Sequence, residues 1–210
     1  MNKRIVIVGA GGHGKVIADI AVKIGYADIV FVDDNAIGDC LGYPIVGTCD
    51  AMVVLNDCNT DFVIAVGNNN IRRRIAESYD VNWVSLIHPS AQIGVDVKIG
   101  VGTVVMANAV INPCSTVGKH CIVNTSSVVE HDGVIGNYVH ISPKSALGGT
   151  VKIGDCTHIG IGAVVRNNVS VCNDCVVGAG AVVIKDITES AVYIGIPAKI
   201  MAVNNSDHRG

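Results

Sequence analysis

From Ile87 to Val183 the chain places Val, Ile or Leu at every sixth position without a slip. Ile87, Ile93, Ile99, Val105 and Ile111 open the series, and Val165, Val171, Val177 and Val183 close it. Four residues after each aliphatic comes a second slot, which from Ala91 to Ala181 holds only Ala, Ser, Thr, Cys, Gly or Val. A period of six matches neither an amphipathic helix nor a flat two-sided strand; it is the period of a hexapeptide β-helix. Each hexad supplies a short strand and a turn, with the branched aliphatic pointing inward and the small residue letting the corner close. Three hexads make one 18-residue coil if the cross-section is triangular, and each coil pairs the edge of the next around a narrow apolar core.

Residues 1–86 follow another pattern. A buried-strand run at 3–8 leads into the turn Gly9-Ala-Gly-Gly-His-Gly14. Helical spacing then appears over 15–24 at Val16, Ile17, Ile20 and Ile24, stopped by Gly25. A second strand at 29–32 ends in Asp33-Asp34, and a third at 61–66 is closed by Gly67. A helix is expected over 71–78 and a last strand at 83–86, which leads through His88-Pro89 into the first coil. Alternating strands and helices imply a small parallel sheet, a Rossmann-like domain over 1–86. No Ser- or Gly-rich linker precedes the β-helix domain of 87–210, so the two should pack together and cover the open first coil. After the repeat, Gly195-Ile-Pro-Ala-Lys199 reads as a turn, and 204–210 as a frayed polar tail.

Composition narrows the chemistry. Half of the 210 residues are hydrophobic but only 4% are aromatic, as a core of Val and Ile requires. A net charge of −3 supplies no field for nucleic acid or an anionic membrane. The apolar stretch before His13 is too short for a signal peptide or a membrane span, which suggests a cytoplasmic protein. Eight cysteines invite a disulfide reading. The repeat itself, however, places Cys121 and Cys175 in the small inward slot, where a thiol acts as a compact hydrophobe. Cys172 and Cys175 resemble a CxxC pair, but the repeat points them in opposed directions, which argues against a shared metal ion.

Gly9-x-Gly11-x-x-Gly14, followed by acids about twenty residues on, matches a dinucleotide fingerprint. With only four candidate strands in the sheet, the reading reduces to its physics: amides at a helix N-terminus accept a phosphate, and glycines let it approach. Asp33 or Asp34 can accept hydrogen bonds from a sugar or base, Gly67 closes the third strand at the same sheet edge, and His13 would sit beside the ligand. Arg72-Arg73-Arg74 reads as a solvated helix face. On the coils, His140 and His158 lie 18 apart and should stack on neighbouring coils, while His131 stands between Glu130 and Asp132. His131 and His140 both fall outside the inward slots. An acid beside an imidazole orients the ring and makes it more basic. A three-histidine zinc site, as in coil-stack enzymes that hydrate carbon dioxide, would need two ligands about one strand apart on one face, and positions 131, 140 and 158 do not supply that pair. No cysteine accompanies the histidines outside the core slots, which disfavours a covalent intermediate.

The stretches Gly9-Ala-Gly-Gly-His-Gly14, Val32-Asp-Asp34, Ile64-Ala-Val-Gly-Asn-Asn69, Asn124-Thr-Ser-Ser-Val-Val-Glu-His131 and Gly195-Ile-Pro-Ala-Lys199 resemble the left-handed β-helix acetyltransferases of nucleotide-linked amino sugars. Those are the enzymes of bacillosamine and perosamine synthesis, with sialic acid O-acetyltransferase-like proteins as cousins. The left hand comes from this resemblance alone, since parallel crossovers are normally right-handed. The resemblance implies acetyl-CoA as co-substrate, no metal, and a homotrimer with acetyl-CoA between neighbouring prisms. It implies a nucleotide-linked amino sugar of the UDP-4-amino-4,6-dideoxy type held by Gly11, Gly12, His13, Asp33, Asp34 and Gly67. His131 would be the general base, with Asp132 where many relatives have Glu. His140, Gly149, Ile161 and Ala179 would serve acetyl-CoA, either Gly149 or His140 as an oxyanion donor, and Ala179 through its backbone amide. O-acetylation of a sialic acid or related sugar, or a sugar-nucleotide sensor without chemistry, are the alternatives.

Overall fold

The computed structural model describes residues 3–201, so the tail expected at 204–210 lies outside the described residues. The N-terminal sheet is parallel, with Arg4–Val8 in the centre between Asp28–Val32 and Thr60–Ile64. Its two faces are both covered, as an all-parallel sheet requires. Ile5, Ile7, Phe31 and Val63 meet Ile17 and Ile20 of the helix Gly12–Lys23 on one side. Val6, Val8, Phe62 and Ile64 pack with Met52 of the short helix Ala51–Leu55 on the other.

Three local expectations change. The helix Gly12–Lys23 starts earlier than its apolar spacing suggested and buries Ile17, Ala18, Ile20 and Ala21, leaving Val16 and Ile24 exposed. Two alanines on the inner face let the helix approach the sheet closely, so the larger flanking side chains turn outward. The fourth strand of the sheet reduces to one bridge, Phe62 to Trp83, and Leu86–Ile87 pairs instead with Val104–Val105 of the coils. The helix Ala51–Leu55 and the hairpin of Asp39–Cys40 with Tyr43–Pro44 have too few periodic residues to show in the sequence.

The C-terminal domain is a three-sided parallel β-helix. Strands 18 residues apart pair in register, as Val110–Ile111 does with Val128–Val129 and His140 with His158. Among the described residues the three faces hold six, five and eight strands, called here first, second and third in the order the chain visits them from Gln92–Ile93 onward. Inward aliphatics from Val105 to Val183 are buried, and the small slot is buried with them. Inward hydroxyls are satisfied by the backbone: Thr103 Oγ1 donates to Gly118 O at 2.7 Å and accepts from Cys121 N at 2.9 Å. Thr157 repeats this with Cys172 O and Cys175 N. Each hexad from Asp96 to Gly180 also turns through one left-handed residue, such as Asp132 at φ 58° and Tyr138 at φ 58°. Asn, Asp and Gly tolerate that region best, a periodic signal the aliphatic pattern had hidden.

The two domains do pack together, though not end to end. Leu86, Val104 and Ile122, the outward residues of the first three strands of the third face, join Met106 in one cluster with Ile5, Ile7 and Ile17. The N-terminal domain therefore lies along the side of the prism. Ile87 and Ile93 at its open end remain 36% and 39% exposed. The outward aliphatics on the third face decide this arrangement, because they leave an apolar side wall needing cover.

Arg72 is a further correction. It is 1% exposed rather than solvated, and lies on the helix Asn69–Ser78 facing the coils. The cysteine pair also differs from its expected geometry: Cys172 Sγ and Cys175 Sγ sit 3.3 Å apart, because the turn folds Cys172 back against the core.

Candidate active site

The glycine loop is shaped by two close approaches. Gly9 has φ 109°, and a Cβ there would stand 2.9 Å from Ala65 O; a Cβ on Gly14 would strike Gly9 O. These glycines bring helix and sheet together, whereas Gly11 and Gly12 border open space. Asp33 Oδ2 accepts from Ala10 N at 2.7 Å, and Oδ1 accepts from Asn35 and Ala36 N–H. Burial alone would raise its pKa, but those backbone bonds outweigh it and hold the carboxyl below its ordinary range. Asp34 Oδ1 accepts from Cys49 N at 2.8 Å. Both acids thus shape the loops at the strand's end, and any ligand contact must use their remaining lone pairs.

His13, in the first turn of its helix, points to the junction with the coils. Burial, and after it the charge of Arg72, pushes its pKa down to about 4. His140 and His158 stack with ring centroids 4.8 Å apart and planes 4° from parallel, as their spacing implied. Burial first, then the charges of His158, Arg72 and His13, push His140 down to about 3. The side-chain oxygen of Asn124 accepts Thr125 N–H at 2.8 Å, so its amide nitrogen faces His140 Nε2 at 3.0 Å. That orientation makes Nε2 the acceptor and leaves the proton on Nδ1, which is buried facing the Gly67 backbone but makes no hydrogen bond of ordinary geometry. The sequence reading gave Asn124 no such role, and only the coil register reveals it.

His140, Ile161 and Ala179 come together, lining a groove of about 470 Å³ with Ser142, His158 and Gly178. This groove follows the corner between the third and first faces, beside the N-terminal domain. A smaller cavity of about 170 Å³ shares His158 and Val176 with it and reaches Gly67 and Asn69.

His131 and Gly149 stand elsewhere. His131 Nδ1 lies 2.7 Å from Asp132 Oδ2, and its side chain is 60% exposed. A Cβ on Gly149, one coil on, would lie 2.6 Å from His131 Nε2, so the missing side chain makes room for the ring. Both occupy the corner between the first and second faces, the far edge of the first face from the groove. Cys114, exposed and one coil before Asp132, shares that corner. A cysteine does therefore stand near a histidine outside the core slots, contrary to the sequence reading.

Among the described residues no group of three or more His, Cys, Asp or Glu side chains gathers to hold a metal ion. Nor is any helix there long and apolar enough to cross a membrane.

The neutral histidines make stability depend on pH. His120, 3% exposed, is pushed down to about 4 by burial and then by Lys119 and Arg72. The unfolded chain takes up that proton below about 6.5, the folded chain only near 4, so the unfolded state binds more protons in between. Stability is therefore expected to be full above pH 6.5 and to fall as pH drops through that window, by roughly 3 kcal/mol for His120 alone. Urea unfolding at pH 7.5, 6 and 5 measures it. His120→Asn should flatten the slope, and an unchanged slope would refute the assignment.

The chain matches the PglD N-terminal domain family over residues 4–79. It is similar to the UDP-N-acetylbacillosamine N-acetyltransferase of Bacillus subtilis (strain 168), with 37% identity over 112 residues, 50% of this chain and 52% of that protein. The match thus spans about half the length of that curated relative. Among solved structures it resembles the acetyltransferase domain of PglB from Neisseria gonorrhoeae FA1090 in complex with acetyl coenzyme A. There the identity is 40% and the TM-score 0.92, over 96% of this chain and 100% of that one. It also resembles PerB from Caulobacter crescentus in complex with CoA and GDP-perosamine, at 38% identity and a TM-score of 0.89, over 94% and 97% of the two chains. A shared glycine-loop domain, a shared coil stack and this likeness along nearly both full lengths place the chain in the nucleotide-sugar N-acetyltransferase family.

Proposed function

We propose that the protein transfers acetyl from acetyl-CoA to the amino group of a nucleotide-linked amino sugar of the UDP-4-amino-4,6-dideoxy type, and works as a homotrimer in the cytoplasm. The observation that carries this reading is the groove holding His140, Ile161 and Ala179 beside the glycine-loop domain. Relatives solved with acetyl-CoA, and with CoA and GDP-perosamine, support it.

A sugar ammonium cannot attack a thioester until it has given one proton to solvent, and the free amine must lose a second as it becomes an amide. Asp132 engages Nδ1 of His131, which leaves Nε2 as the basic nitrogen. Nε2 takes the amine proton as nitrogen bonds to the acetyl carbon, and the carbonyl oxygen becomes an oxyanion. That oxyanion needs a donor already in place, and a backbone N–H of the Gly148-Gly149 turn or His140 serves. As the C–S bond breaks, the CoA thiolate leaves and recovers the proton from His131.

His131 and the groove lie at opposite edges of the first face, so one copy does not assemble the site. Along that face the outward residues are Gln92, Val110, Val128, Ala146, Val164 and Val182, apolar after the first, whereas Lys98, Thr116, Val134, Lys152 and Ser170 stand outward on the second, polar except for Val134. Three prisms turning this apolar face to a threefold axis would close a ring, with the groove corner of each copy against the His131 corner of the next.

The test supplies acetyl-CoA with UDP-, GDP-, dTDP- and CMP-linked amino sugars and with free sialic acids, following thiol release and product mass. The expected product is an acetamide on a nucleotide sugar, stable to hydroxylamine. A hydroxylamine-labile ester, or thiol release with sialic acid alone, would replace this reading with O-acetylation.

A further inference from the structure

Arg72 is the largest fully buried side chain of the described residues, and its five N–H donors are all used. Nε donates to His120 O at 2.7 Å, and Nη2 to Tyr138 O and the Asn69 side-chain oxygen, both at 2.7 Å. Nη1 donates to Val66 O at 3.0 Å and Gly67 O at 3.1 Å. Asn69 completes the arrangement by donating to Cys156 O at 2.8 Å. His120, Tyr138 and Cys156 are the left-handed corner residues of three successive coils. Their carbonyls form a ladder along one edge of the third face, and the start of the helix Asn69–Ser78 is bonded to it rung by rung. The same guanidinium grips the backbone of the Gly67 loop. Among the described residues no carboxylate lies within ion-pair distance of it.

We propose that Arg72 is a positioning residue: it fixes the Gly67 loop of the N-terminal domain at one height on the coils, and so sets where a nucleotide bound by that domain meets the acetyl-CoA groove. The inference rests on the reading of function above. A lysine cannot replace the arginine, because three donors on a flexible stem do not span four carbonyls and an amide in a fixed fork. The groove residues Ile161 and Ala179 belong to the coils alone, so acetyl-CoA binding should survive the change. His140 and His158 project from the third face under the loop, so the relation of loop to coils decides whether acceptor and thioester align.

The test compares wild type with Arg72→Lys by hydrogen exchange without ligand, and by calorimetric titration with acetyl-CoA and with UDP and GDP as nucleotide probes. Exchange over residues 66–70 should accelerate about tenfold or more while the central strand Arg4–Val8 keeps its protection. Affinity for the nucleotide that wild type binds should fall about tenfold, with acetyl-CoA affinity within about twofold, since one charge-assisted network is lost on one side only. Wild-type exchange at 66–70 in the variant, or equal losses of both ligands, would overturn the proposal. If Arg72→Lys does not fold, Asn69→Ala, which cuts the Cys156 rung and one guanidinium bond, carries the same comparison. A wild type that binds neither nucleotide would count against the reading of function, while the exchange data would still decide whether Arg72 holds the loop.

Discussion

Replacing His131 by Ala is expected to lower turnover by about 10² to 10⁴, the usual contribution of a general base. Acetyl-CoA affinity should stay within about twofold of wild type, because the groove is lined by other residues, among them His140, Ile161 and Ala179, and a general base acts on the acceptor's proton rather than holding the thioester. The fold should hold as well: the side chain is 60% exposed and its one polar partner is Asp132. Asp132→Asn should cost less, since it removes the charge that favours the imidazolium but keeps a hydrogen-bonding group at Nδ1. Steady-state rates with the best amino-sugar substrate, together with calorimetric titration of acetyl-CoA, decide the matter. Turnover within about twofold of wild type would remove His131 from the mechanism, and a matching loss of acetyl-CoA affinity would show that the ring binds rather than catalyses.

Much of this site can be read from spacing alone, because a period-six repeat fixes direction. Once the inward aliphatics are known, position 131 must face outward and position 158 must lie above 140; the 4.8 Å ring stack follows from 18-residue register. The glycine loop is legible for a similar reason, since strand, Gly9 and helix leave one way for the chain to turn. What escaped the pattern depends on long-range partners. Arg72 sits in a run of three arginines and looks solvated until the coils supply carbonyls His120 O and Tyr138 O, 48 and 66 residues away. The outward Leu86, Val104 and Ile122 are visible in the sequence as second aliphatics beside the inward ones. Their meaning, a side wall to dock on, needs the three-sided cross-section. Asp33 and Asp34 show the opposite limit: their placement at the strand end was right, yet three backbone amides already occupy Asp33.

Mixing two inactive variants should restore activity if each site is shared between copies. His131→Ala removes the base but leaves the groove. Ala179→Trp fills the groove, where Ala179 is exposed and its bulkier replacement takes up the space proposed for acetyl-CoA, but leaves His131. Each variant alone should fall by about 10² or more. Unfolded together in equal amounts and refolded, copies would assemble at random in a closed ring. A site is then whole when its groove comes from the His131→Ala copy and its imidazole from the Ala179→Trp copy, which holds for about a quarter of sites. Turnover should therefore rise to about a quarter of wild type, far above either parent. If groove and imidazole served from the same copy, every site in the mixture would carry one defect and the refolded sample would stay at the level of its parents. Face-opening variants add an independent measure. Val128→Glu places a charge on the apolar stripe between the two corners, and a charge buried there without a partner costs several kcal/mol. It should shift the assembly toward monomers in sedimentation and abolish turnover with His131 and the groove both intact. A monomer that retained full activity would show that the first face is not the seam and that the imidazole reaches its acceptor by another route.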